Sequence, residues 1–158
     1  MRVIGGVLKG RRFSPPRQFK GRPTTDFGRE GLFNLLRSRL DLDGLEALDL
    51  FAGSGAESYE LASRGALHVT AVEKDAGACK YIHKQALAFE LDAIRILRAD
   101  AFAFLGKAVT QFDLVFADPP YTEPRLPELP GMVRAAGLVA AGGLFVLEHG
   151  DRRDFSEE

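Results

Sequence analysis

From residue 46 onward the chain alternates between two hydrophobic patterns. Short apolar runs have the length and composition of strands: "EALDLF" (46–51), "HVTAVE" (68–73), "AIRILRAD" (93–100), "FDLVFAD" (112–118) and "GLFVLEHG" (143–150). Between them, "ESYELASRG" (57–65), "AGACKYIHKQALAFEL" (76–91), "AFAFLGKAV" (101–109) and "RLPELPGMVRAAGLVAA" (125–141) read as helices. The first closes at Gly65, and the last is broken by its prolines. Upstream, "TTDFGREGLFNLLRSRL" (24–40) opens on helix-capping residues and carries Phe33, Leu36 and Leu40 at helical spacing, weakened a little by Gly28 and Gly31. "MRVIGGVLKGRRF" (1–13) has short apolar runs around Gly5-Gly6 and Gly10, which predicts a small β-hairpin; "SPPRQFKGRP" (14–23) reads as an extended linker. Strict alternation of strand and helix predicts an α/β fold, a mostly parallel twisted sheet with helices on both faces.

Composition narrows the class without changing the fold. A chain of 158 residues, 46% apolar and 27% charged, suits one globular domain with a core of its own. No apolar run approaches the ~18 residues of a membrane-spanning helix, and the amino terminus lacks the pattern of a signal peptide. The single cysteine, Cys79, reads as a helix core residue, allows no internal disulfide and fits a reducing cytoplasm. With three scattered histidines beside it, no metal constellation is expected.

Charge does change the picture. Arg2, Lys9, Arg11, Arg12, Arg17, Lys20 and Arg22 all precede Asp26, with no acid among them. The remainder holds the other 14 basic residues and all 22 acids, so a net +7 arm precedes a net −8 body. The sequence therefore divides into a basic hairpin and linker (1–22) and an acidic α/β domain (23–158). The arm is either a solvated tail or a phosphate-binding surface.

Candidate chemistry gathers at the strand ends. "DLFAGSGAES" (49–58) follows the first strand and opens a helix; Gly53 and Gly55 let the backbone approach a ligand closely. Glu73 closes the second strand, 18 residues past Gly55, where a carboxylate accepts hydrogen bonds from ribose hydroxyls. A dinucleotide site would place a third glycine at position 58, which is Ser58 here. Asp49 just before the glycines and Asp100 after the third strand suit an ammonium- and sulfonium-bearing cofactor, and suit a pyrophosphate badly. Asp100 accepts an adenine amino group or caps the next helix; we take the first reading. Phe51, Lys74 and Ala101 adjoin these groups and complete the candidate cofactor contacts.

The fourth strand ends in Asp118, Pro119, Pro120 and Tyr121. A nucleobase amino group is a poor nucleophile because its lone pair is delocalised. Asp118 and the Pro119 carbonyl are placed to accept its two hydrogens and aim the lone pair at a methyl group. The prolines hold those acceptors rigid, and Tyr121 offers a ring on which a flipped-out base stacks.

On "GRPTTD", "DLFAGSGA", "SRGA", "VEKD" and "ADPPY", the chain resembles the bacterial 16S rRNA guanine-N2 methyltransferases over almost its whole length. The resemblance implies a Rossmann-like methyltransferase fold, S-adenosylmethionine as methyl donor and a guanine of small-subunit rRNA, free or in an assembling 30S particle, as acceptor. It also implies that Arg22, Thr24 and Asp26 border the cofactor or substrate pocket; a cytoplasmic monomer is expected. Two departures stand out: many family members have glycine where Ser58 stands, and the family continues past "EHG" into a final antiparallel strand, so that strand is expected to be missing here. An adenine-N6 DNA methyltransferase shares the same corner, and a cofactor-sensing RNA-binding protein is the reading from another class.

Overall fold

The computed structural model describes residues 1–16 and 25–149. Thr25 caps the first helix, α1 (Asp26–Arg37), its hydroxyl accepting from the Gly28 amide at 3.0 Å. There follow β1 (Glu46–Leu50), α2 (Ala56–Ser63), β2 (His68–Glu73), α3 (Ala76–Ala88), β3 (Ile94–Arg98), α4 (Ala101–Leu105), β4 (Phe112–Ala117), α5 (Leu129–Ala135) and β5 (Val139–Leu147). The strands form one sheet in the order β3-β2-β1-β4-β5, and every pairing is parallel. Strand order reverses beside β1, so the carboxyl ends of β1 and β4 flank the crevice where α/β sheets place their ligands.

Alternate residues of the central strands feed two cores. Ala47, Val69, Ala71 and Leu114 pack with Phe33, Leu36, Tyr59, Leu61 and Ile82 of α1, α2 and α3. Leu48, Leu50, Val72, Val115 and Ala117 pack with Phe102, Leu105, Leu129 and Val133 of α4 and α5. The period-2 alternation of a strand buried on both faces produces this division.

The amino-terminal segment departs from the expected hairpin. Its cross-strand pairing is limited to one antiparallel bridge, Arg2 to Arg12, with the Val3 amide donating to the Arg11 carbonyl (2.8 Å) and the Phe13 amide to the Met1 carbonyl (3.1 Å). A 3-10 turn (Gly6–Leu8) interrupts it. The reason is a stronger set of partners outside the segment. The Ile4 and Gly5 amides donate to Glu60 of α2 at 2.8 and 2.9 Å, and the Leu8 amide donates to Ser63 at 3.0 Å. Gly6, at φ 79°, lies so close to α2 that an added Cβ would stand 2.0 Å from the Ser63 carbonyl oxygen. Val3 and Phe13 enter the core at 1% and 3% exposure. Each such burial contributes about 1.5–3 kcal/mol. Residues 1–16 are therefore one wall of the domain, packed against α2, every residue of which is buried.

Two element boundaries also differ. The helix expected over 76–91 stops at Ala88, because Glu90 takes a left-handed φ of 57° that lets Phe89 and Leu91 turn inward. The helix expected over 125–141 is a 3-10 turn (Leu126–Glu128) followed by α5, and Val139–Ala141 belong to β5. Gly137 at φ 63° ends α5, after which Val139 pairs with Phe112. Gly142, at φ 79°, lies in the irregularity where the register slips before Leu144 pairs with Leu114. Among the described residues β5 pairs only with β4.

Candidate active site

At the end of β1 the chain leaves the sheet through Phe51, a non-glycine residue at φ 59°, and the Ala52 amide donates to the Val72 carbonyl at 3.0 Å. Gly53 follows at φ 58° and Gly55 at φ 84°. Side chains rarely adopt these angles. Gly55 is also sterically required, since a Cβ there would meet the Tyr59 ring at 2.6 Å. That ring is fixed by its hydroxyl, which donates to the Ser54 carbonyl at 2.8 Å.

Glu73 ties this loop to the end of β2. One carboxylate oxygen accepts from the Gly53 amide at 2.9 Å and the other from the Asp75 amide at 2.7 Å. Each oxygen keeps a further lone-pair direction for a hydroxyl donor. The carboxylate is thus positioned before any ligand arrives.

Asp49 is almost completely buried, at 1% exposure, and accepts from the Ser58 hydroxyl at 2.6 Å. Burial pushes its pKa up to about 7, the Ser58 bond opposes that rise, and the nearby charges of Asp118 and Glu73 add to it. The serine at position 58 therefore acts on the charge state of Asp49, which a glycine has no side chain to do.

Asp118 follows β4 directly and is half-buried; Pro119 is buried, Pro120 exposed and the Tyr121 side chain half-exposed at 50%. The Glu123 amide donates to the Pro120 carbonyl at 2.9 Å, closing the corner as a turn, and the Glu148 amide continues the β4–β5 ladder by donating to the Ala117 carbonyl at 2.9 Å. Beside it, Arg125 lies 4.4 Å over the Phe102 ring, whose edge packs on Phe51 at 5.8 Å between centroids. This aromatic and guanidinium stack was not apparent in the sequence, because its members come from distant parts of the chain.

The structure thus gathers Asp49, Phe51, Gly53, Gly55, Glu73, Lys74, Asp100, Ala101 and Asp118 to Tyr121 along one edge of the sheet, at or just past the carboxyl ends of β1 to β4. Asp100 uses one oxygen to cap α4, accepting from the Ala103 amide at 3.0 Å. The Lys74 carbonyl accepts from the Arg98 guanidinium at 3.4 Å. Asp26 faces the amino-terminal segment: Arg29 bonds it at 2.7 Å and Arg2 approaches at 3.6 Å. Of the expected basic residues, Arg2, Lys9, Arg11 and Arg12 are exposed, whereas Arg17, Lys20, Arg22 and Thr24 lie outside the described residues.

Three polar residues escaped the sequence reading. Arg29 and Glu60 are fully buried, and Glu57 is 7% exposed. Nε and Nη1 of Arg29 and Oε1 of Glu57 have no hydrogen-bond partner among the described residues. Arg29 is paired with Asp26 and neighbours Glu60, whereas a buried carboxyl oxygen of Glu57 without a partner, with Asp49 close by, fits a ligand carrying positive groups. S-adenosylmethionine, with its ammonium and sulfonium, meets that requirement.

The family described as Conserved hypothetical protein 95 matches residues 1–158, the whole chain. The chain belongs to this family. Its relatives include the ribosomal RNA small subunit methyltransferase D of Escherichia coli K12, 34% identical over 94% of this chain and 74% of that protein. The candidate rRNA methyltransferase YlbH of Bacillus subtilis is 36% identical over 94% of this chain and 82% of its own length. Among solved structures, the hypothetical protein TTHA0928 of Thermus thermophilus superposes with a TM-score of 0.88 at 33% identity, covering 99% of this chain and 90% of that one. Family membership and superposition agree with the α/β methyltransferase-like fold expected from the alternating pattern.

Proposed function

We propose that this chain is an S-adenosylmethionine-dependent methyltransferase acting on the exocyclic N2 amino group of a guanine in small-subunit rRNA. The observation that supports the reading most is that the Asp118–Tyr121 corner lies on the same sheet edge as the glycine loop and Glu73, which the Gly53 amide joins. The substrate class follows the relative from Escherichia coli, whose name assigns it to the small ribosomal subunit. When bound, the cofactor supplies an electrophilic methyl group on a positively charged sulfur. The protein's part is orientation. Glu73 would hold the ribose, Asp49 would face the cationic end, and Asp118 with the Pro119 carbonyl would accept the amino hydrogens and so orient the nitrogen lone pair. With the donor bound, its sulfonium would supply the methyl group, and Asp118 or water would take the proton that the amino nitrogen sheds. On this reading the enzyme is a cytoplasmic monomer that needs no metal, and its substrate is rRNA or an assembling 30S particle.

The deciding experiment is methyl transfer from labelled S-adenosylmethionine to small subunits, to their naked rRNA and to DNA, each from cells lacking the enzyme, followed by nucleoside analysis. Label in N2-methylguanine supports the proposal. Label in N6-methyladenine of DNA would replace it with the adenine reading, and no label in any substrate would leave a cofactor-binding protein.

Two further results are expected. Glu73→Ala removes charge-assisted hydrogen bonds worth about 1.5–3 kcal/mol each, and it also releases the Gly53 and Asp75 amides. S-adenosylmethionine affinity measured by calorimetry should fall by more than about tenfold. Unchanged affinity would remove Glu73 from the site.

The basic surface is tested by neutralising Lys9, Arg11 and Arg12 together as glutamines, since these exposed side chains leave the buried anchors Val3 and Phe13 in place. If they meet phosphates, the slope of log affinity for rRNA against log salt should flatten by about 0.7–0.9 for each phosphate no longer neutralised. Identical slopes for the altered and unaltered proteins would move the RNA surface elsewhere.

A further inference from the structure

Glu57 lies in the first turn of α2, just past the glycine loop, and none of the site residues read from the sequence includes it. Its environment is unusual for a carboxylate. It is 7% exposed, and Oε1 has no hydrogen-bond partner among the described residues. The charges around it come from four other elements. Asp49 approaches from β1, Asp118 from the end of β4 and Glu148 from the end of β5, all repelling a second negative charge; Arg29 of α1 attracts it. Arg29 is already committed elsewhere, donating to the Arg2 carbonyl at 2.6 Å and to Asp26 at 2.7 Å. Asp49 itself faces Ser58 of α2, Asp118 and Glu73.

Two buried carboxyl groups in one field, with Arg29 acting on Glu57 alone and already bonded to Asp26, cannot both stay ionised at small cost. Burial first, then Asp49, raises the Glu57 pKa well above the usual carboxylate range, while Asp49 reaches about 7. A cation entering the pocket would favour the ionised form of both groups.

Building on the methyltransferase reading above, we propose that Glu57, acting with Asp49, is the counter-charge that distinguishes the cationic methyl donor from its uncharged-sulfur product. The pair gives up a proton to solvent when a sulfonium-bearing ligand binds, and takes one back once the methyl has gone and the sulfur is a neutral thioether. The same exchange weakens the hold on the product. Ser58 tunes the pair, because its hydroxyl favours the charged form of Asp49. Ser58 thus has an electrostatic role in this chain.

The sign follows from proton linkage. Ligand binding that releases protons tightens as pH rises, by up to about tenfold per pH unit for each proton released, until the groups of the ligand-free pocket are ionised on their own. For Asp49 that levelling begins near its own pKa of about 7; Glu57 extends the dependence to higher pH.

The test is calorimetric titration of the full chain with S-adenosylmethionine and, separately, S-adenosylhomocysteine, in buffers of different ionisation enthalpy from about pH 6 to pH 8. Both ligands share the same amino-acid end, so the difference between them isolates the sulfonium. The donor should release more protons than the product, and its affinity should rise more steeply with pH. Glu57→Gln keeps the size and removes the titration, so the difference in proton release should shrink toward zero. Ser58→Gly should move the levelling of donor affinity to higher pH, and it serves as the second variant if Glu57→Gln does not fold. Equal proton release for the two ligands in the unaltered protein overturns the proposal while leaving the methyltransferase reading intact. So does an unchanged difference in folded Glu57→Gln. Failure of both ligands to bind overturns the methyltransferase reading and this inference with it.

Discussion

Asp118→Ala should lower methyl transfer about 10²- to 10³-fold, the effect of removing one preorganised polar group from a reaction centre. It should leave S-adenosylmethionine bound nearly as before. The separation follows from position. Asp118 stands at the end of β4 beside the two prolines, whereas the proposed ribose acceptor, Glu73, closes β2 on the far side of β1. Asp118 contributes to the field that raises Asp49, so its loss should also shift the pH profile of cofactor binding modestly downward. Asp118→Asn keeps an acceptor oxygen and should retain part of the activity. Tyr121→Ala removes a stacking surface worth about 1–3 kcal/mol and should act mainly on RNA binding. Single-turnover methylation alongside cofactor calorimetry measures both halves of the expectation. Near-normal turnover in Asp118→Ala would end the acceptor role.

The second large effect is on stability. Glu60 is fully buried and accepts from the Ile4 amide (2.8 Å), the Gly5 amide (2.9 Å) and Arg64 Nε (2.8 Å), with Arg29 Nε a further ionic neighbour at 4.0 Å. Removing one partner of such a buried charged group costs about 3–5 kcal/mol, because two amides and a guanidinium lose their acceptor together. A domain whose total stability is about 5–15 kcal/mol is then close to unfolding. Glu60→Ala should therefore show a much lower urea midpoint and loss of the amino-terminal docking. Glu60→Gln, which keeps an acceptor but not the charge, should lie between. Deleting residues 1–16 should fail in the same way, since it strips Val3 and Phe13 from the core and uncovers the same carboxylate. An unchanged midpoint in Glu60→Ala would show that these bonds contribute little.

The dependence on the amino-terminal segment matters for how RNA recognition is tested. Arg11 lies 5.2 Å over the Phe89 ring, and Arg2 neighbours Asp26, so both help seat the segment as well as present charge. Substituting exposed cations one at a time separates those two roles, which truncation would confuse.

The sequence by itself determined the alternating fold and most of the candidate site. Strands and helices declare themselves through residues two to four positions apart, and a glycine loop or a proline corner is a local event at a strand end. Parallel pairing then brings those ends to one edge without further information, which is why the common placement of Gly53, Glu73 and Asp118 was legible from the chain alone. Only the tertiary structure decided what α2 faces. Nothing in the local pattern of the helix marks Glu57 and Glu60 as buried. Glu60 is buried because a segment far earlier in the chain lies across it, the Ile4–Glu60 bond spanning 56 positions. The same distance hid the role of the basic arm, whose charges were visible and whose buried valine and phenylalanine were not distinguishable from a hairpin's. The start of β5 was decided the same way: Val139 pairs with Phe112 across the sheet, and no periodicity within 125–141 records a partner that lies outside it.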